Sequence, residues 1–307
     1  MEPLGVNPHQ VDVWSLPSWA ECEPGTPPTL PPQPTPTHTS PPFPVNSIIN
    51  KKICLWSGDI TRLTADGIVH STNETLNERS PNSDNLLAKA GPKLKNELYD
   101  NIKYCKTGEV VITDGYQLST RHIIHTVGPR YNIKYHTAAE TALHYCYRRT
   151  LEKAVEKRMK SIALCVINAV RRGYPPDQGA HIALRTVRRF LEHWGEQLER
   201  VVLVAESIDI SIYQLLTPLY FPRSPREEQC ACYLLPVDLG DDNGEPFIAD
   251  RQIRIIDNPQ HKYQEHYPLP PLEREEMRVL ECDVTCSPSV VDILVVCVRP
   301  TRRLSLA

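Results

Sequence analysis

Three stretches carry residue types that could contact a small polar ligand. In Trp56-Ser57-Gly58-Asp59-Ile60, a short apolar run ends in Gly-Asp and a polar turn. A carboxylate at the end of a strand can accept hydrogen bonds from a nucleobase or an amide, although Gly-Asp alone is more often a plain turn. Ile68-Val69-His70-Ser71-Thr72-Asn73 and Cys165-Val166-Ile167-Asn168-Ala169-Val170-Arg171-Arg172-Gly173-Tyr174-Pro175 are the other two. Metal chemistry is not expected. His122 and His125 are three apart in a β-branched run, so they point to opposite faces. Cys230-x-Cys232 and Cys282-x3-Cys286 lack partners at zinc spacing. No Ser-His-Asp arrangement can be inferred, so no catalytic residue is assigned. Prolines 28, 31 and 34 give a PxxP spacing without a nearby Lys or Arg.

The elements that must position these residues alternate. Short β-branched runs at 53–56, 67–70, 109–113, 121–127, 161–167 and 200–205 predict six strands. Helices are expected over 84–100 with a break near Gly91 and Pro92, over 137–157, over 177–194 and over 209–219. Asp84 and Asp209 are available as helix caps. Such alternation predicts an α/β domain of three layers, with a mixed, mostly parallel sheet between helices. Ligands in these sheets bind beyond the carboxyl ends of the strands, which places the loops after Ser57, Ser71 and Ile167 at the site.

Proline and charge set the expected limits of this domain. Ten of the 21 residues from Pro24 to Pro44 are proline, and each removes a donor and restricts its predecessor. Residues 1–46 are therefore expected to be a disordered proline-rich segment, 47–223 the folded domain, and 224–307 irregular and disordered. Charge follows the same limits. Residues 1–46 hold four acids and no Lys or Arg, residues 47–223 carry a net +7, and residues 224–307 a net −6. A basic middle suits an anionic ligand and equally an ordinary solvated surface. No apolar run reaches 18 residues, so no membrane-spanning helix is expected. The N-terminus has no secretory signal. Ten scattered cysteines point to a reducing, intracellular setting, taken as cytoplasmic.

Taken together and in order, the motifs from about residue 50 to 223 resemble the macro domain, an α/β module that binds ADP-ribose and related nucleotides. The phrases Cys165–Asn168, His181–Leu191 and Arg251–Ile255 narrow the resemblance to one branch, which carries a further C-terminal lipid-binding-like (CRAL-TRIO) domain. The chain leaves no room for that domain, and residues from about Gln260 resemble neither. The resemblance implies that Asp59 receives the adenine amino group, with Ile60 following it, and that Asn73 contacts the distal ribose. Hydrolytic members have several glycines and then an aspartate after that asparagine. Here Glu78-Arg79-Ser80-Pro81-Asn82-Ser83 stands instead, with Ser83 at the aspartate's place and Asp84 one residue late. His70 replaces a further asparagine, and Ala205 an aromatic residue near the base. In the second phosphate loop, Asn168-Ala169-Val170 replaces a Ser-Thr-Gly run and Arg171 and Arg172 follow it, while Gly173, Tyr174 and Pro175 are kept.

The resemblance therefore implies a non-catalytic binding module for ADP-ribose-like or other phosphorylated nucleotides, with a degenerate phosphate loop. The expected ligand-binding residues are Asp59, Ile60, Asn73, Asn168, Val170, Arg171, Arg172, Gly173 and Tyr174. Two other readings stay open: an ADP-ribosyl-carboxylate or O-acetyl-ADP-ribose hydrolase, and a scaffold with a vestigial pocket. The expected partner is ADP-ribose or an ADP-ribosylated protein. No cofactor, no metal and no sequence-specific nucleic-acid binding are expected.

Overall fold

A computed structural model describes residues 10–23, 35–167, 173–206 and 209–247. The chain divides into two units, Met1–Ile253 and Arg254–Ala307, and the second lies wholly outside the described residues. Eight strands and seven helices are described: β1 Val11–Asp12, α1 Ser47–Asn50, β2 Ile53–Trp56, β3 Leu63–Thr64, β4 Gly67–Thr72, α2 Pro81–Ala90, α3 Pro92–Asn96, β5 Val110–Asp114, β6 His122–Val127, α4 His136–Glu156, β7 Ser161–Cys165, α5 Pro176–Trp194, β8 Arg200–Val204, α6 Asp209–Tyr220 and α7 Pro225–Leu234. The six expected strands form one mixed sheet in the order β2-β8-β7-β4-β6-β5, parallel except for β5 against β6. Strands β1 and β3 form a separate parallel pair.

The strands are short apolar runs because both faces of the sheet are covered. Alternate residues serve two cores. Ile53, Val69, Ile124, Ile162 and Val201 pack with α4, α5 and α6, whereas Cys54, Ile68, Ile123, Ala163 and Val202 pack with α2 and α3. The expected helix break falls at Gly91, whose φ of 85° closes α2 and starts α3 with Pro92 at its first turn. The cap of α2 differs from expectation. Ser80 accepts the Ser83 N–H, and Asp84 sits exposed in the first turn beside Arg79.

The folded part reaches past both expected limits. Val13, Trp19 and Phe43 are buried in the cores. The Trp19 N–H donates to the Ile53 carbonyl (2.7 Å) and its indole to the Phe221 carbonyl (2.8 Å). Two arginines hold these stretches in place. Arg188, 1% exposed, donates to the carbonyls of Pro44 (2.8 Å) and Tyr220 (3.0 Å), and lies over the rings of Phe43 and Phe221. Arg223 lies 3.9 Å over the Trp19 ring and donates to the carbonyls of Cys22 and Glu23. Beyond residue 223, where irregular chain was expected, α7 forms because Ser224 caps it, Pro225 fits its first position and Glu227 reaches back to the Arg223 N–H (2.7 Å).

Candidate functional site

A cleft of about 640 Å³ opens at the carboxyl ends of the central strands. Gly58, Asp59 and Ile60 after β2, Val69 to Ser71 of β4, Cys165 at the end of β7 with Val166 after it, and Val204 at the end of β8 with Glu206 beyond it form its floor. Ser80, Pro81 and Asn82 at the start of α2, together with Asp209 at the start of α6, close it. This is where a parallel sheet presents a crevice, so the location follows from topology. A second, more apolar cleft of about 700 Å³ lies between Trp19, Leu55, α6 and α7. Its one ion pair, Arg223–Glu227, is spent holding the N-terminal stretch.

Asp59 lines the cleft, but its carboxylate is already occupied. Oδ1 accepts the Thr61 N–H (3.0 Å) and hydroxyl (2.6 Å), and Oδ2 accepts the Asn85 amide (3.0 Å) and the Lys89 ammonium (2.5 Å). A carboxylate has about four acceptor positions, and all are filled here. Partial burial works against its charge, but the hydrogen bonds from Lys89, Thr61 and Asn85 outweigh that and hold its carboxyl down at about 2. Ile60 lines the cleft beside it. Asn73 is turned into its own loop, donating to Asn77 Oδ1 (2.8 Å) and accepting the Asn77 N–H (2.9 Å). Gly173 is exposed ahead of α5. The Tyr174 ring is buried in the core against Tyr131, with ring centroids 5.0 Å apart. Asn168, Val170, Arg171 and Arg172 lie outside the described residues.

The wall is rich in acceptors. Glu78, Glu206 and Asp209 join Asp59, and no Lys or Arg lies among the described lining residues. Burial and the neighbouring Glu206 push the Asp209 carboxyl up. The Asn82 amide is tied to Glu206.

Beneath the wall lies a constellation that sequence reasoning missed. Ser83, at the first turn of α2, is 1% exposed and its hydroxyl meets His70 Nε2 at 2.9 Å. His70 Nδ1 meets His125 Nδ1 at 2.9 Å, and His125 Nε2 meets the Thr113 hydroxyl at 3.0 Å. Ser80 completes the row on the cleft side, its hydroxyl 3.0 Å from that of Ser83. Burial pulls His70 down to about 4, and burial with His70 alongside takes His125 well below its ordinary value. Both rings are therefore neutral near pH 7. The signal was present only as parity: His70 and His125 are direct partners in the β4–β6 register.

The comparisons with known proteins agree with this geometry. A model of the macro domain matches residues 69–183. "Protein GDAP2 homolog" of Nematostella vectensis is 48% identical over 263 residues, covering 84% of this chain and 52% of that protein. "Ganglioside-induced differentiation-associated protein 2" of Homo sapiens is 45% identical over 262 residues, with the same shares covered. The chain thus spans about half the length of the curated relatives it matches. Among solved structures, the crystal structure of the GDAP2 macro domain is 44% identical with a TM-score of 0.63, covering 70% of this chain and 98% of that one. The Trypanosoma brucei macrodomain in complex with ADP-ribose is 28% identical with a TM-score of 0.53, covering 67% of this chain and 76% of that one. With its mixed six-stranded sheet and its cleft at the strand ends, the chain belongs to the macro-domain family.

Proposed function

We propose that the cleft binds ADP-ribose or a related phosphorylated nucleotide without turning it over, with residues 47–223 as the binding domain. The observation that carries the non-catalytic half is the start of α2. Pro81 has no N–H to offer, Ser83 is buried against His70, and Asp84 is exposed beside Arg79. Asp84, the acidic residue in the first turn of α2, is not among the residues that line the cleft. Binding itself is supported by family membership and by the ADP-ribose complex of the Trypanosoma brucei relative.

The described lining residues bring no Lys or Arg, and we propose that the side chains of Arg171 and Arg172 supply the contact to phosphate. Charge-assisted contacts of this kind weaken with salt when exposed. Calorimetric titration of the chain with ADP-ribose is expected to show saturable binding that falls with ionic strength. Combined Arg171→Ala and Arg172→Ala should cost about 1–3 kcal/mol. Val170→Gly should improve binding by letting the loop backbone close on the ligand. Multiple turnovers on an ADP-ribosylated carboxylate, abolished by Asp84→Ala, would overturn the non-catalytic reading.

One observation favours the scaffold reading with a vestigial pocket: Asp59 is fully occupied by Thr61, Asn85 and Lys89. Absence of ADP-ribose binding at low salt, even in the Val170→Gly variant, would select it. The free thiols of the described cysteines support a reducing intracellular setting, taken as cytoplasmic.

A further inference from the structure

The row Ser80–Ser83–His70–His125–Thr113 crosses from the cleft wall to the far side of the β4–β6 pair. A neutral imidazole has one donor and one acceptor nitrogen, so each link constrains the next. Two polarities are possible. In the first, Ser80 donates to Ser83, Ser83 to His70 Nε2, His70 Nδ1 to His125 Nδ1, and His125 Nε2 to Thr113. The Thr113 hydroxyl then donates to the Asp114 carbonyl at 3.2 Å. Every proton in the row has an acceptor inside the protein. In the second, Thr113 turns to donate to His125 and abandons that carbonyl. Each later proton reverses, and the Ser80 proton is left to find a partner in the cleft. The first polarity keeps one more internal hydrogen bond, which at a buried site decides the direction.

At the cleft end, the Ser80 oxygen also accepts the Ser83 N–H at 3.1 Å. With its own proton directed inward, what Ser80 offers the cleft is its remaining lone pair. Behind it, Pro81 has no amide N–H to offer, and the Asp84 N–H donates to the Ser80 carbonyl at 2.8 Å.

We propose that His125, which does not line the cleft, is a positioning residue that acts through His70 and Ser83 to hold the Ser80 proton inward, so that Ser80 meets a ligand as an acceptor. The Ser80 oxygen itself then favours a hydroxyl or amine donor over a phosphate or carboxylate oxygen. The selection rests on the proposed binding of an ADP-ribose-like ligand; the direction of the row does not.

Long-range proton–nitrogen correlation spectra of the ¹⁵N-labelled chain, without ligand, read that direction. His70 is expected to carry its proton on Nδ1 and His125 on Nε2; the reverse pattern overturns the proposal. Thr113→Val removes the anchoring acceptor and should move part of the His125 proton to Nδ1, while Thr113→Ser keeps the original pattern. An unchanged pattern in Thr113→Val also overturns the proposal. ADP-ribose affinity should drop about two- to tenfold in Thr113→Val, the worth of one neutral hydrogen bond, and recover in Thr113→Ser. Equal affinity in Thr113→Val and the unmodified chain refutes the positioning role. Failure of the unmodified chain to bind ADP-ribose sinks the reading of the cleft and the ligand role of Ser80, and the imidazole pattern still decides the row.

Discussion

Lowering the pH from 8 to 5 should destabilise this protein well before its carboxylates are protonated. His70 is buried and held at about 4. His144, buried on α4 with its Nδ1 2.9 Å from the Thr186 hydroxyl, is also held at about 4, by burial and then by Arg185 and Arg148. Unfolded, each returns to an ordinary value near 6.5. The folded values are depressed, so the unfolded chain takes up protons first as the pH falls. Stability is complete above 6.5 and is lost down to about 4. Linkage gives about 2 kcal/mol lost per histidine by pH 5, or about 4 kcal/mol for the two. His125, taken well below its ordinary value by burial and by His70 alongside, and His181, lowered by burial, add in the same direction. Against a typical total of about 5–15 kcal/mol, this is a large fraction. Asp59 and Asp66 are held below the ordinary carboxylate range, so their contribution is lost only at lower pH, whereas Asp209, pushed up by burial and Glu206, works in the opposite direction. Urea unfolding at pH 8, 7, 6 and 5 measures the profile. His144→Gln should remove about 2 kcal/mol from the difference between pH 8 and 5, whatever it does to stability at pH 8. A flat profile, or parallel profiles for the unmodified chain and His144→Gln, would refute the reasoning.

Arg188→Ala should cost about 3–5 kcal/mol in urea unfolding, because it leaves the Pro44 and Tyr220 carbonyls and part of Glu192 without their buried partner. A cost under 1 kcal/mol would show that Phe43 and Pro44 are held by other contacts. Ser224→Ala should cost about 1 kcal/mol by uncapping α7, whereas Ser224→Asp should be nearly neutral. Lys89→Ala should change stability by less than about 1 kcal/mol, since the pair with Asp59 is partly exposed and Asp59 keeps its bonds to Thr61 and Asn85. The same change should raise the Asp59 carboxyl from about 2 toward its ordinary value, read by carbon-13 titration of the side chain.

The sheet was legible because strands buried on both faces leave unbroken β-branched runs, as at Ile123–Ile124 and Val201–Val202. The place of the cleft followed from the parallel order. Its interior was less accessible, because hydrogen-bond partners are set by register and not by spacing. His70 and Ser83 are 13 residues apart, and His70 and His125 are 55 apart. Only the alignment of β4 on β6 brings the rings together. Asp59 was found by its motif, but its capture by Lys89 requires knowing that α2 runs back past the β2 loop. The folded stretches outside 47–223 were hidden differently. Proline density masked Phe43, whose burial depends on Arg188 some 145 residues away, while the Ser224-Pro225-Arg226-Glu227 capping pattern was readable and passed over.

The contact between the Trp19 N–H and the Ile53 carbonyl bears on how the protein behaves in solution. Strand β2 is the outermost strand on its side of the sheet, and its outer peptide groups would otherwise be open to a strand from another molecule. The turn from Ser18 to Cys22 lies against that margin, with the Ala20 N–H on the Asn50 carbonyl and the Trp19 ring under Arg223. It acts as a cover rather than as another strand, for it carries no run of free donors and acceptors on which a further chain could propagate. A fragment begun at residue 47 would expose this margin together with the core surfaces that Val13, Trp19 and Phe43 cover. It should self-associate in proportion to concentration, and more than the intact chain does.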